Sequence, residues 1–403
     1  MTELTGVWAE LVGQQRAVAV LQAAARSAAG DDPRYASRHA MTHAWLITGP
    51  PGSGRSNAAR AFAAALQCRR AGCGECQACR TVLAGSHPDV TWVRTDRLSI
   101  GVEEVRDLVL RAAMSPTTGR YQVIVVEDAD RITDRGADAL LKSLEEPPPR
   151  TVWLLCAPTA DDVIVTIRSR TRQVRLRTPR DLDVARLLAD RDRIDPGLAA
   201  QAARAAQGHI GRARALARSA AARDARHRVL QVPGSLTSVA ACLQAAQLLV
   251  DAAREEAERR TERLDAAELA ELRQALGFGT KGVRPRQAQG ALKALEDRQK
   301  LRHKRLERDG LDLVLTELTT WYRDVLAVQL GAVDAAGPAQ ATGSVGLINA
   351  AAGDRIARAA ASCSPERTIR RVDAILAARE ALEHSVAPLL AMEALLLELA
   401  ERN

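Results

Sequence analysis

Apolar and polar residues come in alternating blocks along the first 178 positions of the chain. Continuous apolar runs at Trp45–Thr48, Val90–Val93, Gln122–Val126, Thr151–Cys156 and Gln173–Leu176 have the length and composition of buried strands. Between them, Val102–Met114 and Arg135–Glu145 repeat apolar residues at helical spacing, and Pro147-Pro148-Pro149 stops the second. Strands alternating with helices predict an α/β module: a parallel sheet covered by helices on both faces, with ligands at the carboxyl ends of its strands. After Thr178-Pro179 the strand signal disappears. Asp181–Ala222 reads as a small helical domain with a turn at Gln207–Gly211. From Arg223 to Asn403 the pattern is helical again, interrupted near Phe278–Pro285 and Gly331–Gly346. The expected organisation is an α/β domain over 1–178, a small helical domain over 179–222 and an all-α domain over 223–403.

A chain of 403 residues is long enough to give each of these domains its own core. The 57 Lys and Arg against 49 Asp and Glu leave a net charge of +8, with both signs well mixed, which permits nucleic-acid proximity without demonstrating it. Met1-Thr2-Glu3-Leu4-Thr5 shows no basic region leading into an apolar core, and no apolar run approaches the roughly 18 residues of a membrane span. The expectation is a cytoplasmic protein without membrane segments. Seven cysteines, four of them bunched, point to a metal site in a reducing compartment rather than a disulfide framework.

Gly49-Pro50-Pro51-Gly52-Ser53-Gly54-Arg55-Ser56 spells a phosphate-binding loop, placed after a strand and before an Ala-rich helix-forming run. Small residues there let backbone amides turn inward around phosphate oxygens at a helix N-terminus. Arg55 stands where such loops carry lysine, and a planar, forked guanidinium does not replace a compact ammonium freely. The loop therefore keeps its glycines while ATP hydrolysis is not expected, and residual ATP or ADP binding stays open. Val123–Val126 ends in Glu127-Asp128, an acidic pair like the one that supports magnesium and orients water in P-loop ATPases, but in inverted order. Each side chain then differs by one methylene, and a misplacement of about 1 Å can lower a rate on the order of 100-fold. Cys68, Cys73, Cys76 and Cys79 form a C-x4-C-x2-C-x2-C cluster whose thiolates can close a tetrahedral structural zinc site with no position left for a catalytic water. Cys156, Cys242 and Cys363 are isolated and read as core fillers.

These elements occur together with Val12-Gly13-Gln14, His43-Ala44, His87-Pro88-Asp89, Ser115-Pro116, Gly119-Arg120-Tyr121, Ala139–Pro148 and Thr166–Thr171. In that order they resemble the bacterial clamp-loader subunits of DNA polymerase III, which are AAA+ proteins. The likeness is greater to the delta-prime branch than to the gamma/tau motor branch, which keeps the P-loop lysine and an Asp-Glu pair. The resemblance implies an AAA+ module, a small helical lid and a helical collar that assembles with gamma/tau and delta subunits to load a sliding clamp onto primed DNA. It also implies a role for Ser169-Arg170-Thr171. Arg170, with Ser169, would reach a neighbouring subunit's ATP site as a trans-acting arginine finger, a contribution that can be worth about 10³–10⁵ in rate. Other ATPase parts of the family are altered: Ala157-Pro158 falls at a normally polar sensor position, and Gly211, beside Arg212, aligns with the lid arginine.

Two other functions compete with a non-hydrolysing subunit. An active motor of the gamma/tau type would need Gly49, Gly52, Gly54, Arg55, Ser56, Glu127 and Asp128 to form a working nucleotide site. A zinc-dependent DNA-binding protein would use the cysteine cluster to grip DNA, but few basic residues accompany it. Arg284–Arg308 is rich in Lys and Arg yet also holds Glu296, Asp297 and Glu307 and lacks aromatic interleaving, so a solvated helix face is favoured over a DNA-facing helix. Leu311, Leu315, Leu318, Trp321, Tyr322, Val325 and Leu326 recur at helical spacing and read as packing. Nothing in the chain resembles a polymerase active site.

Overall fold

The structure, a computed structural model, describes residues 4–30, 41–95, 99–276, 285–333, 346–384 and 386–400. Most of the interruption at Phe278–Pro285, most of that at Gly331–Gly346, the terminal residues Met1–Glu3 and Asn403, and Arg284 lie outside the described residues. The chain divides into two compact units, Met1–Arg218 and Ser219–Asn403.

The first unit is built on five parallel strands: β1 (Ala44–Thr48), β2 (Val90–Val93), β3 (Gln122–Val126), β4 (Thr151–Ala157) and β5 (Arg172–Arg175), in the order β2-β3-β4-β1-β5. Its helices are α1 (Gln15–Ala29), α2 (Arg55–Gln67), α3 (Gln77–Leu83), α4 (Val102–Ala112), α5 (Asp134–Glu145) and the single turn α6 (Val165–Arg168). Alternate strand residues face opposite layers. Trp45, Ile47, Val123, Val125 and Leu154 pack with Phe62 and Leu66 of α2 and Leu21 of α1. Leu46, Ile124, Val126, Trp153 and Leu155 pack instead with Val105 of α4 and Leu140 and Leu144 of α5. Burial on both faces is why the interiors of the central strands are apolar, with polar residues only at the ends, Thr48, Gln122 and Thr151.

The elements fall within a residue or two of the expected ones. Helix α4 ends at Ala112 rather than Met114, where the chain turns into Ser115-Pro116. The last strand differs from the expected buried run: β5 is an edge strand in which only Val174 is buried. Its partner on one side is β1; Gln173 and Arg175 are exposed and the Arg172 guanidinium lies 5.0 Å over the Trp45 ring, polar residues that suit an edge. Three further helices complete this unit: α7 (Asp181–Asp190), α8 (Pro196–Ala206) and α9 (Ile210–Arg218). Between α8 and α9 the chain turns at Gln207 and Gly208, both with positive φ, and a Cβ on Gly208 would lie 2.4 Å from Thr178 Cγ2.

The second unit is wholly helical among its described residues: α10 (Ala220–Ser235), α11 (Val239–Ala275), α12 (Pro285–Gln329), α13 (Gly353–Ser362), α14 (Pro365–Glu383) and α15 (Pro388–Ala400). Leu311, Leu315, Leu318, Trp321, Tyr322 and Val325 of α12 lie in its core, as their spacing predicts, and Leu326 is only half-buried. Asp324, fully buried on α12, accepts hydrogen bonds from the backbone amides of Ile348 (3.1 Å) and Asn349 (2.7 Å) and from Asn349 Nδ2 (3.0 Å), tying the returning chain to the core. Towards the far end of the α11–α12 pair the contact becomes polar. Arg302 is buried against Asp265 (3.3 Å) and Glu268 (2.7 Å), while Lys300 pairs with Glu296 (2.7 Å). These basic side chains of the 284–308 segment are engaged within their own hairpin. No described helix is long and apolar enough to cross a membrane.

One buried carboxylate organises the loop between α4 and β3. Asp89, next to β2, accepts from the amides of Thr117 (2.6 Å), Thr118 (2.9 Å) and Gly119 (2.5 Å) and from both threonine hydroxyls. Burial opposes its ionisation, but these bonds outweigh burial and hold the carboxyl well below the usual range. Asp89→Ala is expected to destabilise the chain by about 3 kcal/mol at pH 7 by leaving three amides unpaired. Because the folded pKa is depressed, the stabilisation is complete above the unfolded value of about 4 and is lost as pH falls below it. Denaturant titrations at pH 7 and pH 3 check both points: the gap between wild type and variant should narrow at pH 3.

Candidate nucleotide-binding loop, cysteine cluster and exposed arginine

The residues singled out in the sequence occupy three separate places. The first is the loop at the carboxyl end of β1. Gly49 N–H donates to the Pro158 carbonyl (3.0 Å) and Ser53 N–H to the Pro50 carbonyl (3.0 Å), curling the loop before Gly54 and the start of α2. Gly52 and Gly54 have positive φ, and a Cβ on Gly49 would lie 2.5 Å from Ser53 Oγ, so the small residues are required by geometry. Gln14 clamps the loop from outside: its Nε2 donates to the carbonyls of Ser53 (3.3 Å) and Arg177 (2.6 Å), and its Oε1 accepts from Arg177 N–H (3.0 Å).

Two polar atoms in the loop have no hydrogen-bond partner among the described residues, Ser53 Oγ and Arg55 Nη1, and both are buried. Arg55 and Ser56 open α2, so Arg55 takes the place at which a P-loop carries lysine. Glu127 and Asp128 follow β3 at the same edge of the sheet, with β4 between β3 and β1. Their charges and that of Arg55 act on the same neighbours. The Cys156 thiol beneath them is pushed up to about 12, mainly by burial, with Glu127, Asp128 and Asp130 adding and Arg55 opposing. Asp130 is also raised, first by burial and then by Asp128, with Arg131 and Arg55 opposing. The Arg55 charge thus reaches Asp130, two residues beyond Asp128.

His209 is a feature the sequence reading did not anticipate. A Cβ on Gly52 would fall 2.3 Å from His209 Cγ and 2.6 Å from its Cα, so this residue sits directly over the loop. The ring caps α9 by accepting at Nδ1 from Arg212 N–H (3.2 Å), and burial, then Arg212, lower its pKa, favouring the neutral form. The spacing of Gly208-His209-Ile210-Gly211-Arg212 held the only clue, through its turn glycine.

The second place is the cysteine cluster. The four Sγ atoms of Cys68, Cys73, Cys76 and Cys79 lie within 4.8 Å of one another, with Cys68 at 3.7 Å from both Cys73 and Cys76. A tetrahedral thiolate site with metal–sulfur bonds of about 2.3 Å has sulfur–sulfur edges of about 3.8 Å, so the donor set fits a metal ion. Ala71, Gly72 and Gly74 all have positive φ and fold the chain back on itself, and Val7 N–H donates to the Gly72 carbonyl (3.1 Å). Burial opposes ionisation of Cys73, yet amide bonds from Glu75 and Cys76 outweigh it and bring this thiol to about 6. Arg70 supplies a further charge, its Nη2 lying 3.2 Å from Cys73 Sγ.

Arg170 is the third place, and it is not near the loop. It lies between α6 and β5, and Trp45 at the start of β1 pairs in register with Arg172. Arg170 therefore stands at the amino edge of the sheet, about 13 Å of strand away from Gly49. Its Nε and Nη2 bind Glu145 Oε1 (2.7 and 2.5 Å), and its Nη1 donates to the Thr166 carbonyl (3.0 Å) and Ser169 Oγ (3.3 Å). Glu145 is the last residue of α5, a partner that sequence separation concealed.

Residues 33–180 match the family described as DNA polymerase III, delta subunit. Over these residues the chain is similar to DNA polymerase III clamp-loader subunits. Curated relatives of both kinds of subunit align with it. The gamma/tau subunit of Mycobacterium tuberculosis is 35% identical over 182 residues, covering 43% of this chain and 30% of that protein. The delta-prime subunit of Pseudomonas aeruginosa is 39% identical over 137 residues, covering 32% of this chain and 42% of that protein, and that of Yersinia pestis is 39% identical over 134 residues, covering 32% and 39%. The chain spans less than half the length of these relatives. At the loop, Gly52 and His209 are mutually fitted. Gly52→Ala is expected to lose about 2 kcal/mol, from a non-glycine residue at positive φ and from the clash with His209. Thermal unfolding of the two forms checks this.

Proposed function

We propose that this chain is the non-hydrolysing, delta-prime-type subunit of a DNA polymerase III clamp loader, contributing Arg170 to a neighbouring subunit's ATP site. The observation that carries the reading is the placement of Arg170: an arginine at the amino edge of the sheet, on the opposite side from the chain's own P-loop. An arginine fork offered to the γ-phosphate of a bound ATP stabilises charge developing during phosphoryl transfer. The chain's own loop supports the same reading. Arg55 stands in place of the compact ammonium that follows the outer phosphates, its charge reaches Asp130 beside the acidic turn, and His209 covers Gly52.

The helical second unit acts in this proposal as the collar that assembles with gamma/tau and delta subunits, so that the complex loads a sliding clamp onto primed DNA. The cysteine cluster holds a structural zinc ion: Cys68, Cys73, Cys76 and Cys79 fill all four positions, so the metal fastens the α2–α3 connection and leaves no site for chemistry. The three-part division at 178 and 222 follows the same family plan, with α7–α9 as the lid.

Three outcomes test these statements. Arg170→Ala should fold and assemble normally yet lower the ATPase activity of the reconstituted loader; unchanged activity excludes the trans role. The purified chain alone should turn over no ATP; turnover sensitive to substitution of Glu127 or Asp128 would make it a motor subunit. Metal analysis should find about one zinc per chain, and Cys73→Ser should lower both metal content and the unfolding temperature.

A further inference from the structure

We propose that Glu145 is a positioning residue that fixes the plane of the Arg170 guanidinium for an incoming phosphoryl oxygen. The inference rests on the trans role of Arg170 proposed above and deepens it. Arginine has five N–H donors in a rigid fork. Here Nε and Nη2 converge on a single oxygen, Glu145 Oε1, at 2.7 and 2.5 Å, and Nη1 is shared between the Thr166 carbonyl at 3.0 Å and Ser169 Oγ at 3.3 Å. Acceptors therefore hold the fork along its Nε edge and at Nη1, while an Nη2 hydrogen remains for a partner from outside the chain. The arginine side chain keeps 35% of its accessible surface, so that edge is within reach of a neighbour.

The anchor belongs to a long helix and the finger to a short connection. Leu144, the preceding residue, is buried in the sheet's helical layer, and its carbonyl bonds His43 Nε2 at 2.7 Å, just before β1. Glu145 thus projects from the fixed end of α5, whereas Arg170 belongs to the short connection between α6 and β5. The Glu145 side chain is itself 48% exposed, and an ion pair this open adds little to stability. Its effect is on orientation: without it the fork keeps only the Nη1 contacts and can rotate about its long stem. A misplacement of about 1 Å at such a group is enough to lower a rate substantially.

The test uses the loader reconstituted from full-length chains, comparing Arg170→Ala, Glu145→Ala, Glu145→Gln and the Arg170→Ala/Glu145→Ala double variant. Glu145→Ala should remove most of the kcat that Arg170→Ala removes, with KM for ATP and the unfolding temperature of the chain unchanged. Glu145→Gln, whose amide oxygen still accepts from the fork, should recover part of that loss, and the double variant should match Arg170→Ala alone. Wild-type or raised kcat in Glu145→Ala, beside a depressed Arg170→Ala, overturns the positioning role and leaves the trans role standing. Additive losses in the double variant overturn it equally. A silent Arg170→Ala removes both.

Discussion

The polarity of a parallel sheet buried on both faces is the constraint on which the first unit depends. With all strands running the same way, every carboxyl end lies at one edge and every amino end at the other. The P-loop and the Glu127-Asp128 turn share the first edge, and Arg170 with Glu145 stands at the second. Backbone hydrogen bonding through β4, β1 and β5 keeps these edges about one strand length apart. A chain so built carries its glycine-rich loop and its exposed arginine at opposite edges of one sheet.

The loop itself shows how shape and charge can part company. Gly49, Gly52 and Gly54 keep the curl that aims backbone amides inward, and Gln14 pins it to Arg177. The charge at that curl is a guanidinium, whose field reaches Asp130 beyond the Glu127-Asp128 turn. His209 then covers the loop from the turn before α9. Loop geometry is set by backbone conformation and does not depend on the side chain at position 55, whereas charge and reach there do.

In the second unit the chain combines an apolar base with a polar far end. Leu311, Trp321 and Tyr322 give the base a dense core, and the Asp324–Asn349 contacts fasten the following segment to it. Further along the α11–α12 pair, Arg302, Asp265, Glu268 and Gln299 replace apolar packing. Buried polar groups of this kind add little net stability, while removing one partner leaves the others unpaired.

The sequence by itself determined the parallel α/β module, its strands and main helices, the P-loop with its altered lysine, and the metal-binding potential of the cysteines. Each of these is written in local terms: apolar runs, turn residues, or ligands within one short stretch. The edge character of β5 was not visible, because Gln173–Leu176 reads like an inner strand until its neighbours are known. Only the tertiary structure decided that His209 covers Gly52, that Asp89 holds the Thr117–Gly119 loop, that Arg170 is gripped by Glu145, and that Arg298 and Arg302 of α12 pair with acids on α11. These contacts join residues far apart in the chain, and their partners are selected by packing and strand register, which short-range periodicity does not encode.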